Sequence, residues 1–214
     1  EISTRDWSSD VCSSDLRFLI YNKKGEKCMN CNMANCRAEL IDISGLCNPA
    51  DVTDVISQYP YWLQMNVSET LEIPVLKPDV EQINSVNISV DIFRADIIKV
   101  PVSPVDANGD YVSNLEGKVS TGRKLIIEGQ LCQKIVYTAN VLDQSIHSAH
   151  FYVPFSSYIV VPSEITFTNG TTVDSLNVEF QANACVEDVA VKLLDERTIL
   201  KQVTLLLYAV PKQS

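Results

Sequence analysis

Histidine is scarce in this chain and basic charge is outnumbered. There are two histidines, His147 and His150, and 17 Lys and Arg against 27 Asp and Glu, for a net charge of −10. With no basic stripe to neutralise phosphates, nucleic acid is excluded as an expected partner. Long apolar runs are missing too. TLLLYAV, near the C-terminus, falls far short of the about 20 residues a membrane-spanning helix needs, so no membrane span is expected. Long helical periods and repeats of about 20–50 residues are also absent. The histidines stand at i and i+3, which on a strand sends them to opposite faces, a poor arrangement for joint catalysis or metal binding. No Ser or Cys sits in a recognisable nucleophile setting. STGRKL lacks the upstream glycine of a phosphate-binding loop. DANGDYVSNLEG has Tyr111 and Gly117 where a calcium loop needs Gly and Glu, and reads as a turn around Asn108-Gly109. These absences argue against an enzyme, and no catalytic residue or cofactor is nominated.

What is present begins with an anomaly. Residues 1–16, EISTRDWSSDVCSSDL, have no apolar period and repeat SSD. In one reading frame DWSSDVCSSDL back-translates to a short-read sequencing adapter, and index bases account for the residues before it. Residues 1–16 are therefore read as a sequencing scar rather than native sequence. Setting them aside leaves 16 basic and 23 acidic residues, a net charge of −7, and six cysteines. On this reading the native N-terminus lies upstream of Arg17.

Residues 17–60 form a Cys-rich N-terminal extension with Cys28, Cys31, Cys36 and Cys47. The spacing, x2 then x4 then x10, supplies the four thiolates of a closed structural zinc site, but not as two close pairs. It also fails the common iron–sulfur patterns. The favoured alternative is intermolecular disulfide chemistry through all four, which requires no fixed internal geometry. Cys132 and Cys185 fall inside strand-like segments and are expected to be buried as small apolar residues.

Asn48, Pro49 and Asp51 mark a helix start, and Pro60 limits that helix. Residues 61–214 then follow a period of two. In KLIIEGQLCQKIVYTA, Leu125, Ile127, Leu131, Ile135, Tyr137 and Ala139 share one face. In SVNISVDIFRADIIKVPV the apolar face runs Val86, Ile88, Val90, Ile92 and then Ile98, Val100, Val102. It is interrupted at Arg94 and Asp96, where a bulge would re-phase the strand. Phe151, Val153 and Phe155 point one way. Segments 176–194 and 197–210 form a hairpin around Asp195-Glu196, and VTLLLYAV, apolar on both faces, suits a central strand. The expected fold is all-β: an antiparallel sandwich or barrel-like domain with a short helix before its first strand.

Four blocks in this order, LEIPVLKPDVEQINSVNISVDI, TGRKLIIEGQLCQKIVYTA, QSIHSAHFYVPFSSYIVVP and VEDVAVKLLDERTILKQVTLL, resemble the SPOCS (spore coat structure) domain of endospore-forming anaerobes. The resemblance spans about residues 61–210, and ISGLCNP looks like the leader of short single-domain members. It implies a part in building the spore coat, and no catalytic residues. One family relative carries a peptidoglycan-binding LysM module. This sequence shows none, so cortex anchoring is not carried over. The expectation is a self-assembling protein of the spore surface layers, made in the mother-cell cytoplasm, with itself and other coat proteins as partners. The alternatives are a monomeric adaptor and a metal-binding module on Cys28, Cys31, Cys36 and Cys47.

Overall fold

The computed structural model describes residues 41–212. Nine strands and one α-helix follow one another in this span: β1 (Asp42–Ser44), α1 (Ala50–Gln58), β2 (Trp62–Glu72), β3 (Val80–Val102), β4 (Thr121–Ala139), β5 (Ile146–Val160), β6 (Glu164–Thr166), β7 (Thr172–Asp174), β8 (Phe180–Leu193) and β9 (Thr198–Pro211). They build a four-stranded sheet in the order β1-β3-β4-β5, a three-stranded sheet in the order β2-β9-β8, and a β6-β7 ribbon. All pairings are antiparallel except β1 with β3. The fold is a sandwich with no closed barrel.

Strand β4 organises the larger sheet because its alternation is unbroken from Leu125 to Ala139. Leu125, Ile127, Leu131, Ile135, Tyr137 and Ala139 are all fully buried. They meet Leu205, Leu207, Val203 and Ile199 of β9 in one core, and side chains at alternate positions on facing sheets interdigitate there. Beyond the reach of the smaller sheet, Val161 and Ile165 join the same core. The ribbon is tied back to β4 through Thr121, whose hydroxyl donates to the Val161 carbonyl, and through the Arg123–Asp174 ion pair at 3.4 Å. Asp174 also caps a single 3₁₀ turn by accepting from the Leu176 N–H at 2.9 Å.

The expected re-phasing of β3 occurs one residue earlier than the sequence suggests. The register slips between Ile92 and Arg94, leaving Phe93 as the extra residue. Val86 and Ile88 are in the core, but beyond the bulge it is Ala95 and Ile97 that pack on it. Ile98 is instead exposed, because one inserted residue exchanges the two faces up to Lys99. A second slip follows before Val102, which is also exposed, while Val100 is half-buried.

Helix α1 starts where expected: the Asn48 side chain accepts from the Ala50 N–H at 3.2 Å. Its Val52 packs on Cys185 and Leu206, with Ile56 and Tyr208 beside them. These β9 residues lie on the outer face of the smaller sheet, which explains why VTLLLYAV is apolar on both sides. The three-residue β1 precedes the helix, and the first long strand follows it. Between them Gly45 has φ +99° and is pressed against the Ile88 carbonyl, where any Cβ would overlap.

Candidate functional site

The cysteines are the first candidates. Cys28, Cys31 and Cys36 lie outside the described residues. Cys47 is placed against β8 by its backbone, whose N–H donates to the Val186 carbonyl at 3.0 Å. Its Cα is 5.4 Å from that of Cys185, and the two form a disulfide, a separation suited to such a bond. Cys47 thus has a partner within its own chain, where the sequence reading counted it among the intermolecular thiols. The reason is local. Phe180, Ala182, Ala184 and Val186 of β8 are turned to the main core, so Cys185 between them faces outward beneath α1. The bond spans 138 residues, a loop whose closure stabilises by roughly 4–5 kcal/mol on the chain-entropy argument. A four-thiolate metal site would need Cys47 as a thiolate, and this bond removes it. Cys132 carries the free thiol among the described residues and is half-exposed rather than buried. It pairs with Ser89 and Tyr152 on the outer face of the larger sheet, as its place among polar even-numbered positions should have signalled.

The other sequence candidates resolve as local structure. His147 stacks on Tyr137 with ring centroids 6.0 Å apart, while His150 is exposed on the opposite face. Asp106 accepts from the N–H groups of Asn108 and Asp110 at 2.9 and 3.0 Å, so DANGD is a side-chain-closed turn. STGRKL opens β4.

The sheets leave open edges. Among the described residues β5, β2 and β8 each have one paired neighbour. Strand β5 runs for 15 residues, and Tyr152, Tyr158 and Val160 along it are exposed. An unpaired row of backbone N–H and C=O groups of this length can accept a strand from another chain.

The sequence reading missed a polar cluster in the centre of the sandwich. Glu69 of β2 sits opposite Lys201 of β9, and Gln133 of β4 approaches from the facing sheet. Lys201 is fully buried, Gln133 is 3% exposed and the Glu69 side chain is 8% exposed. Lys201 Nζ lies 2.5 Å from Glu69 Oε1, and Gln133 Nε2 donates to the same oxygen at 2.8 Å. The Nζ contact is an ion pair by distance but lies off the hydrogen-bonding direction. Nζ, Glu69 Oε2 and Gln133 Oε1 are left without hydrogen-bond partners among the described residues. Burial pushes the Lys201 ammonium below the usual lysine range, opposed by its contact with Glu69. The signal for this cluster was a polar residue at a core-phase position: Gln133 between Leu131 and Ile135, and Lys201 between Ile199 and Val203.

Fold and site together define a class: an open-edged, two-sheet β-sandwich with an internal cystine and a buried polar cluster. The family described as "SipL, SPOCS domain" matches residues 79–194. The chain belongs to the SPOCS domain family, as its four sequence blocks suggest. Searches of curated proteins and of solved structures return no match.

Proposed function

We propose that the chain is a non-enzymatic structural subunit of the bacterial endospore surface, in the coat, exosporium or an appendage. It assembles with itself and with other coat proteins, and intermolecular disulfides through Cys28, Cys31 and Cys36 reinforce the assembly. The observation that carries this reading is the SPOCS match over residues 79–194, which supports a spore coat-related role. The open edges of β5, β2 and β8 support assembly, since strand addition supplies backbone hydrogen bonds without a preformed pocket. Synthesis in a reducing mother-cell cytoplasm keeps the extension thiols free, and exposure to oxidising surroundings then locks contacts already made.

The test compares the full chain with a Cys28→Ser/Cys31→Ser/Cys36→Ser variant, both retaining the Cys47–Cys185 bond, on non-reducing gels after oxidation at high concentration. A ladder or gel-excluded material from the parent alone, collapsing with reductant, is the expected result. Ladders from both would remove the role of the extension thiols. Monomers from both would overturn covalent assembly and favour an adaptor that docks on another coat protein.

A further inference from the structure

Three strands bring an amine, a carboxylate and a primary amide together in the core. Lys201 and Gln133 belong to opposite sheets, and Glu69 Oε1 touches Lys201 Nζ at 2.5 Å and Gln133 Nε2 at 2.8 Å. The two nitrogens therefore flank one oxygen, the position a proton carrier between them must occupy. All three side chains are more than nine-tenths buried, and each has an atom with no hydrogen-bond partner among the described residues. A network kept only for register would be expected to satisfy its members, because partly satisfied polar groups in a core are strongly destabilising. Burial favours the neutral form of the Lys201 amine. A neutral lysine that shares Glu69 Oε1 with an amide is a nucleophile at raised effective concentration toward it.

We propose that Lys201 and Gln133 form an intramolecular isopeptide bond joining the two sheets, with Glu69 as the proton carrier. Glu69 takes a proton from Nζ and frees its lone pair. The Nζ–Cδ bond to Gln133 forms, and the Cδ–Nε2 bond breaks. A second Nζ proton passes through Glu69 to Nε2, which departs as ammonia, and Glu69 keeps the first proton. One primary amide, one lysine ammonium and one carboxylate become one secondary amide, one ammonia and one carboxylic acid, so no oxidant, reductant or further reactant is required. The product removes the buried charge on Lys201 and needs no partner chain, so it stands apart from the assembly reading.

The test is the intact mass of the full chain, reduced and denatured, followed by peptide mapping. The expected mass is one ammonia below that of the reduced sequence, with Gln133 and Lys201 recovered in one branched peptide. Glu69→Gln is expected to hold the full mass. Should that variant fail to fold, a Gln133→Met/Lys201→Met double variant, which replaces the cluster with apolar groups of similar length, is also expected to hold it. A parent protein that is folded and of full mass overturns the proposal. So does an ammonia loss that maps to Asn108-Gly109 or Asn169-Gly170 as a succinimide, or one that persists in the double variant. A branched peptide that still forms in Glu69→Gln overturns the assigned role of Glu69.

Discussion

Arg197 gathers more of the fold than its place in a turn suggests. Its guanidinium donates to the carbonyls of Ile73 at 3.0 Å, Pro74 at 2.8 Å and Lys77 at 3.3 Å, and pairs with Asp79. Backbone bonds from Ile73 N–H to the Arg197 carbonyl and from Val80 N–H to the Glu196 carbonyl run alongside, at 2.9 and 2.7 Å. The β8–β9 turn is thereby stapled to the β2–β3 connection, joining the KPDVEQ and LDER blocks that are 118 residues apart at Asp79 and Arg197. Hydrogen bonds from a charged donor are worth more than neutral ones, but the side chain is one-third exposed, which discounts the ion pair. Arg197→Ala should therefore lower stability by about 1–3 kcal/mol, read as a drop in urea midpoint at constant slope. Arg197→Lys should recover only part, since an ammonium cannot span four acceptors held in a fork. A midpoint unchanged by either would show that the backbone bonds hold the turn unaided.

Strand β4 shows what could be seen in the sequence and why. From Leu125 to Ala139 it keeps one phase, so counting by twos places its core residues correctly. Strand β3 could be read only up to Ile92, because the slips after Ile92 and after Lys99 each change the meaning of the positions that follow and have no signature in hydrophobicity. The Cys47–Cys185 bond was not legible for a different reason. Its ends are 138 residues apart, and the outward turn of Cys185 between core-facing Ala184 and Val186 does not reveal which residue will meet it. The polar cluster was legible as an exception to the pattern, but only three-dimensional pairing brings its members together. Opposite the β3 bulge, Gly129 of β4 leaves space that Phe155 fills: a Cβ there would meet the Asp91 carbonyl oxygen at 2.6 Å and Phe155 Cζ at 2.7 Å. Gly129→Ala should destabilise by about 1–3 kcal/mol through overpacking. Chemical denaturation would measure it, and a neutral result would show that Phe155 has room to retreat.

At the scale of the whole molecule, the excess of acid makes behaviour at low pH the informative condition. Three turn carboxylates are held below the usual range. The Asp110 and then Asn108 N–H groups lower Asp106, the Leu176 N–H lowers Asp174, and the Arg197 N–H followed by Thr198 lowers Asp195. A carboxyl whose folded pKa is depressed contributes stability above its unfolded pKa, and that contribution is lost as pH falls through the folded value. Thermal melting should thus stay level from these groups above about pH 5 and fall below about pH 4, where free carboxyls protonate. Asp195→Asn should shrink that fall, and an equal fall in the variant would assign it to other groups. The cystine carries a mechanical consequence. A subunit pulled by its N-terminal extension receives tension at Cys47, and the bond passes it directly to Cys185 beside the central strand of the smaller sheet. The chain between those two residues, which includes α1 and the whole larger sheet apart from β1, is a slack loop outside the load path. Tension must first part the three paired residues of β1 and β3, and beyond them the bond routes it into the β8–β9 pairing.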